Sequence, residues 1–172
     1  MKPGTEPPAA FRWPVRVYFE DTDAGGVVYH ATYLKFLERA RTEWLRALGF
    51  EQDRLREKQG VLFVVRRLGI EYRRSARFND QLTVTSSLTG HGRASLDFEQ
   101  MVLREADASP CCQAKVNVAC VDVERMRPTR IPEAILGAVS GIISMPVAPN
   151  VAAGSIRGSI SGAVQSESVD GL

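Results

Sequence analysis

Three carboxylates stand just before a pair of glycines: Glu20, Asp21 and Asp23 precede Gly25 and Gly26. The residues that follow predict a helix, whose first turn offers unpaired backbone N–H groups and the positive end of a dipole. Such a helix start can polarise a carbonyl oxygen, and a carboxylate held beside it can attack the carbonyl or activate a water. The glycines would let backbone and substrate approach closely.

An acidic turn that only caps the helix is an alternative that these residues leave open. The loop lacks the acid and glycine spacing of an EF-hand, which excludes that kind of calcium site. His30, at the predicted helix start, can orient water or substrate, or contribute through its backbone alone. Tyr29 fits a pocket wall and the core equally well.

A strand and a long helix must position this loop. Alternating apolar residues from Phe11 to Phe19 predict a half-buried strand that ends at the acidic run. Apolar residues then recur at helical spacing over residues 32–48, which predicts the helix. Thr32 is the expected N-cap, and Gly49 stands where helices commonly end.

The rest of the chain predicts four more strands and little else. A polar, helical connector spans residues 51–60, and strands are expected at residues 61–74, with Gly69 as a bulge, then around 82–88, 96–102 and 113–123. A short helix follows to about Val139. One long helix segregated from antiparallel strands indicates an α+β fold in which the sheet wraps the helix. We therefore predict one domain at residues 11–139, a disordered lead-in at 1–10 and a Gly/Ser/Ala-rich disordered tail at 140–172.

Composition narrows the possible functions. A formal net charge of +2 gives no reason to expect nucleic-acid binding. The three cysteines have no metal-ligand spacing and are expected to be reduced thiols: Cys111, Cys112 and Cys120. The N-terminal residues lack the apolar core of a signal peptide, and no apolar run is long enough to cross a bilayer. A cytoplasmic protein is predicted.

The sequence also resembles a known family. The run VRVYFEDTDAGGVVYHATYLKFLERARTEWL contains a D-x-D-x-x-G-x-V-Y-H motif at the strand–helix junction, and further matches are FVVR from Phe63, EYRRSARFND from Glu71 and VACVD from Val118. Together they resemble the Tol-Pal-associated acyl-CoA thioesterases, within the 4-hydroxybenzoyl-CoA thioesterase group of hot-dog proteins. The likeness covers about residues 11–138, and it implies a five-stranded antiparallel sheet around the central helix.

The resemblance implies roles for individual residues. Asp23 matches the family's catalytic aspartate, acting as nucleophile or general base on the thioester, and the backbone N–H near His30 matches the group that polarises the thioester carbonyl. Tyr29 and Gly26 would contribute to the substrate site. Arg93, where a strand begins, is the preferred partner for the CoA phosphates, although five other arginines are candidates: Arg66, Arg67, Arg73, Arg74 and Arg77.

Some hot-dog thioesterases instead carry their carboxylate on the central helix. Because the loop aspartate matches the other arrangement, Glu38 and Glu43 are expected to be solvated or to form salt bridges at an interface. The implied reaction is hydrolysis of an acyl-CoA by a homodimer or homotetramer, without metal or redox cofactor. Two alternatives remain: an adaptor that meets acyl carrier protein or phospholipid-synthesis enzymes at the inner membrane, and a dehydratase that uses His30.

Overall fold

The computed structural model describes residues 10–144, which form a sheet and three α-helices in the predicted order. A single 3-10 turn, Phe19–Asp21, follows the first strand. The elements are β1 (Phe11–Arg16), α1 (Thr32–Ala47), α2 (Gln52–Gln59), β2 (Val61–Tyr72), β3 (Gln81–His91), β4 (Ser95–Arg104), β5 (Ser109–Asp122) and α3 (Glu133–Ser144).

The five strands form one antiparallel sheet in the spatial order β1-β3-β4-β5-β2. β1 and β2 are consecutive in the chain but lie at opposite edges, because α1 and α2 carry the chain across the sheet between them. The α+β architecture predicted from the sequence, a five-stranded antiparallel sheet with one long helix, is confirmed.

Helix α1 lies against β1, β3 and β4. Its apolar stripe is buried, and Trp44 packs edge-to-face on Phe98 of β4 with ring centroids 4.9 Å apart. Each large apolar side chain buried in this way contributes roughly 1.5–3 kcal/mol. The helix begins one residue earlier than predicted, since Ala31 rather than Thr32 is the N-cap and Thr32 is already helical. Gly49, at φ +90°, follows the end of the helix.

The first strand is shorter than its alternating pattern predicts. After Arg16 the chain leaves the ladder: the Val17 N–H donates to the Asp80 carbonyl at 3.0 Å, and the Tyr18 N–H donates to the Asp21 carboxylate at 2.8 Å. Phe19, predicted to share the buried face, is therefore 77% exposed. The alternation of apolar residues in the sequence continues to Phe19, whereas the strand itself ends at Arg16.

Two further details correct the prediction. The register between β2 and β5 shifts between Val65 and Arg67, whereas Gly69, the predicted bulge, pairs regularly with Lys115. Helix α3 continues five residues beyond Val139, and Ile142 packs against the core. The remaining predictions for the two termini, at residues 1–9 and 145–172, lie outside the described residues.

Candidate active site at the start of the central helix

Asp21 holds the loop that precedes α1. Its carboxylate is 7% exposed and accepts the Tyr18 N–H, while its carbonyl accepts the Tyr29 N–H at 2.9 Å. An isolated antiparallel bridge joins Thr22 to Val28. These bonds close residues 18–29 into a narrow hairpin, so Asp21 is a buried carboxylate that holds the backbone of the loop.

Asp23 occupies the tip of this hairpin. Its carbonyl accepts the Gly26 N–H at 3.0 Å, its N–H donates to the Val27 carbonyl at 3.0 Å, and its Oδ1 accepts the Gly25 N–H at 2.8 Å. The side chain is exposed, and within residues 10–144 its Oδ2 has no hydrogen-bond partner. One carboxylate oxygen fixes the orientation of the side chain, and the other is left for a substrate or a water.

Both glycines of the loop are required by this geometry. A Cβ at Gly25 would lie 3.1 Å from the Asp23 Oδ1, and Gly26 adopts φ +72°, a left-handed conformation that side chains disfavour. The prediction that the glycines let backbone and substrate approach closely stays a prediction. At Gly26 the turn itself demands a glycine, whether or not substrate passes beside it.

Tyr29 and His30 lie between the hairpin and α1. The Tyr29 carbonyl accepts the Thr32 N–H at 2.8 Å, and the His30 carbonyl accepts the Tyr72 hydroxyl at 2.8 Å. The imidazole lies between two exposed rings, with its centroid 4.4 Å from that of Tyr29 and 6.2 Å from that of Tyr72. The His30 N–H has no hydrogen-bond partner in the described part of the chain, so it is a free donor at the helix start.

The turn between β2 and β3 is hydrogen-bonded both to this hairpin and to α1. The Val28 N–H donates to the Ala76 carbonyl at 2.8 Å, and the Ala76 N–H donates to the Tyr33 hydroxyl at 3.1 Å. Burial raises the pKa of Tyr33 to about 12, so this hydroxyl stays protonated at neutral pH. Roles for Tyr33 and Tyr72 at the site were not predicted from the sequence. A tyrosine on an apolar helix stripe was the available signal, because a buried hydroxyl needs a partner.

Arg93, the predicted phosphate ligand, lies elsewhere in the chain. It is exposed in the turn between β3 and β4, and its carbonyl accepts the Ile131 N–H at 2.9 Å. The Asp23 hairpin adjoins the opposite end of β3, at Asp80. Strand β3 spans roughly 35 Å at about 3.4 Å per residue. One chain therefore does not bring Arg93 to Asp23.

Both helix glutamates pair with arginines of the same helix: Glu38 pairs with Arg41 and Glu43 pairs with Arg46. Arg41 is buried and also donates to the Gln100 Oε1 at 2.7 Å.

Gln100 in turn donates to the Ser86 hydroxyl at 2.8 Å and to the Leu37 carbonyl at 3.1 Å. This network borders a cleft between α1 and β2 that encloses about 450 Å³ of space, partly open to solvent, and is lined by apolar residues that include Trp44, Leu45, Phe63, Val65 and Phe98.

The cysteines are all buried free thiols. Burial raises the pKa of Cys112 to about 12 and that of Cys120 to about 11, and it also raises the pKa of Cys111. Because the thiolate is the nucleophile, these residues are poor candidates for covalent chemistry. Within residues 10–144 there is no cluster of three potential metal ligands and no helix long and apolar enough to span a membrane.

Comparison with known proteins identifies the family. The model of the thioesterase-like superfamily matches residues 17–139. This chain belongs to that superfamily. An acyl-CoA thioesterase, YbgC, of Haemophilus influenzae is 48% identical over 128 residues, which are 74% of this chain and 93% of that protein.

Solved structures support the same family. A probable thioesterase from Bartonella henselae is 38% identical, with a TM-score of 0.68 over 72% of this chain and all of that one. A DHNA-CoA thioesterase from Staphylococcus aureus, 21% identical, shares the fold with a TM-score of 0.72 over 77% of this chain and 90% of that one. The predicted hot-dog fold and the predicted enzyme class, a thioester hydrolase, are thereby confirmed.

Proposed function

We propose that this thioesterase-family protein hydrolyses acyl-CoA thioesters at the Asp23 hairpin. The observation that carries the proposal is the pairing of an oriented carboxylate that has one free oxygen with a free backbone donor, His30 N–H, at the start of α1. The Thr22–Val28 bridge closes the hairpin that carries Asp23, and His30 follows that hairpin directly. The acyl-CoA thioesterase activity named for the H. influenzae relative supports the choice of substrate.

The chemistry requires only groups of this kind. The thioester oxygen would accept the His30 N–H and face the positive end of α1, which stabilises the charge that develops there. Asp23 would then either attack the carbonyl carbon, forming an anhydride that water hydrolyses, or take a proton from a water that attacks the same carbon. In both routes the C–S bond breaks, CoA leaves as the thiol, and the acyl group leaves as the free acid.

We further propose that the working unit is a homodimer joined along β2, with a tetramer as a larger form. An antiparallel pairing of two β2 strands would bring the far end of one sheet toward the Asp23 hairpin of the other. That far end carries the turn with Arg93, which is remote from Asp23 within its own chain. A role for Arg93 at the phosphates is therefore proposed only across the dimer.

Asp23→Asn tests the catalytic assignment. The amide keeps the shape of the side chain and removes its charge, so kcat on an acyl-CoA should fall at least roughly a hundredfold. The matched control is Glu20→Gln, a change of the neighbouring exposed acid, which should retain nearly full turnover. Near-normal kcat in a folded Asp23→Asn protein would reject the assignment.

A single turnover in ¹⁸O-labelled water separates the two routes. If Asp23 is the nucleophile, water that attacks the anhydride at the carboxylate carbon leaves ¹⁸O in the Asp23 peptide, which mass spectrometry detects. If Asp23 is a general base, only the released acid carries the label. An unlabelled Asp23 could also follow attack at the acyl carbon, so trapping of the anhydride with hydroxylamine is the companion measurement.

An adaptor that binds acyl thioesters without turnover is the alternative from a different class. Wild-type protein that binds an acyl-CoA and hydrolyses no member of a short-chain, long-chain and aromatic panel would favour it. The Tol-Pal association, contact with acyl carrier protein, and a cytoplasmic location with peripheral contact at the inner membrane stay predictions from the family resemblance.

A further inference from the structure

The turn between β2 and β3, residues 73–80, displays three exposed arginines beside the proposed site. Arg73 is paired with Glu71 at 2.7 Å. Arg74 and Arg77 are different, because neither guanidinium has a carboxylate partner within residues 10–144. The turn therefore presents two uncompensated positive charges to solvent.

Aromatic rings adjoin these charges. Phe19 is 77% exposed and Phe78 is 49% exposed, and the two rings meet edge-to-face with centroids 5.1 Å apart. Tyr18, next to Phe19, is 61% exposed. An exposed pair of rings held together in this way offers a surface on which a planar base can stack.

Backbone hydrogen bonds fix this surface relative to Asp23. The Ala76 carbonyl accepts the Val28 N–H at 2.8 Å, and the Asn79 N–H donates to the Val17 carbonyl at 3.1 Å. Arg77 and Phe78 lie between these two attachments.

The turn is also braced internally, since the Asp80 carboxylate accepts the Arg77 backbone N–H at 2.8 Å. That bond engages the nearest acid of the turn with the backbone. The arginines and rings are thus held against the base of the catalytic hairpin.

We propose that Arg74, Arg77, Phe19 and Phe78 bind the phosphate and adenine end of the CoA held at Asp23 of the same chain. The inference rests on the proposed function. CoA concentrates its negative charge on phosphates at the nucleotide end, and guanidinium groups bind phosphate through paired, charge-assisted hydrogen bonds. The purine is planar and matches the exposed rings.

Binding of the phosphates by Arg74 and Arg77 differs from binding by Arg93 in the subunit that supplies the arginine. Arg74 and Arg77 lie on the turn that supports the hairpin of their own chain, so they need no second subunit to reach a ligand there. The exposed acids on the hairpin and next to the turn are Glu20, Asp23 and Glu71. Asp23 is the proposed catalytic group, and Glu71 already pairs with Arg73, so Glu20 is the one left to oppose Arg74 and Arg77. The surface is therefore suited to an anion.

The test compares two substrates that share one acyl group: the acyl-CoA and the acyl-pantetheine, which lacks the phosphates and the adenine. In Arg74→Ala/Arg77→Ala, KM for the acyl-CoA should rise roughly tenfold or more, because charge-assisted hydrogen bonds to phosphate are lost. KM for the acyl-pantetheine and kcat for both substrates should stay within about twofold of wild type.

Matched variants sharpen the result. Arg12→Ala/Arg54→Ala removes the same charge from exposed positions on β1 and α2, and should leave both KM values unchanged. Arg74→Lys/Arg77→Lys should restore part of the affinity. Phe78→Ala should raise KM for the acyl-CoA about threefold or more through lost stacking. Adenosine 3′,5′-bisphosphate should inhibit wild type competitively and the Arg74→Ala/Arg77→Ala protein much more weakly.

The outcomes separate this inference from the proposed function. If wild type hydrolyses the acyl-CoA and the folded Arg74→Ala/Arg77→Ala protein keeps its KM, the nucleotide site is overturned and the thioesterase assignment stands. An equal rise in KM for both substrates would also overturn it. A third outcome would also overturn it: the Arg74→Ala/Arg77→Ala protein loses binding to phosphatidylglycerol vesicles while its KM for the acyl-CoA is unchanged. That result would assign the arginines to binding a membrane surface. If wild type hydrolyses neither thioester, the proposed function fails first.

Discussion

The two edges of the sheet are built differently. β1 has six residues, Pro14 lies in its middle, and its exposed positions carry Arg12 and Arg16. β2 has twelve residues, begins with the uncharged run Val61–Val65 and leaves Val65 44% exposed. Proline lacks an N–H and charged side chains resist burial, so β1 cannot readily accept another strand.

β2 has only partial protection of this kind. The register shift next to Arg66 and the two arginines there interrupt its second half, while the apolar first half has no proline and no charge. Such a segment invites pairing with another strand. One edge is thus protected by its own sequence, whereas the other is left open to pairing, and we propose a second copy of the chain as its partner.

The largest effect is expected from a charge placed on the β2 edge. Val65→Lys would bury an unpaired ammonium in the proposed interface, so dimer affinity should fall at least roughly a hundredfold. If the site is shared, activity should fall with it. Sedimentation velocity across a dilution series, run beside activity assays, measures both.

Pro14→Lys on β1 is the matched change at the other edge. It should leave both the assembly and the activity as in wild type. A Val65→Lys monomer with full specific activity would contradict the shared site, and an unchanged dimer would show that β2 is not the interface.

Shortening one side chain at each edge to alanine should give a second, smaller contrast, in the free energy of unfolding. Leu82 is 1% exposed and pairs with Val15 of β1, so Leu82→Ala should lower the free energy of unfolding by about 2–5 kcal/mol. Val65→Ala should change it by less than about 0.5 kcal/mol in the monomer. Urea unfolding at two protein concentrations separates them, since only the β2 variant should alter the concentration dependence. Equal losses at both sites would mean that β2 is already packed within one chain.

The smallest effect concerns two thiols on β5, the strand that pairs with β2. Cys112 pairs in register with Tyr72 and Cys120 with Phe63, and burial raises their pKa values from 9.0 to about 12 and about 11. Because the unfolded chain loses these protons first, the stability they contribute is complete below about pH 9 and is lost as pH rises through 11 to 12.

At pH 8 the native thiols should react with a disulfide reagent at least roughly tenfold more slowly than the unfolded ones. The Val65→Lys monomer should react faster than wild type if the uncovered edge frays. Equal rates in both proteins would show that β2 stays closed without a partner.

Much of this architecture could be predicted because local patterns determine it. The apolar stripe of α1 and the alternation at Leu96, Phe98, Gln100 and Val102 each reflect one buried face, and all four of these β4 residues are buried. The predicted strand starting at residue 113 begins instead at Ser109, since Ser109 and Pro110 pair with β4 despite looking like a turn.

What could not be predicted depends on distant partners. The position of the bulge depends on the register between β2 and β5, which the local sequence does not reveal. Gly69 therefore suggested a bulge where the pairing is regular, and nothing about Arg66 indicated the register shift beside it. Arg93 lies in the turn two residues before β4 rather than at the start of a strand, and only the sheet topology shows at which end of the sheet that turn lies. Asp21 and Asp23 were separated by the family resemblance, and burial gives the physical difference between them. Each carboxylate accepts one backbone N–H, but Asp21 is buried whereas Asp23 is exposed to solvent.

The pairing of β1 with β3 also has a consequence for biosynthesis. Phe11 meets Ser86, and Val17 bonds to Asp80, so the hairpin that carries Asp23 is anchored by residues that leave the ribosome long after it does. Contacts between distant parts of a chain form late, because closing the long loop between them costs conformational entropy before the contacts stabilise the fold. A nascent chain that stops before β3 would hold α1 and the acidic turn without the strand that fixes them. Hydrolytic competence should therefore arise only after β3 has been made and has paired with β1.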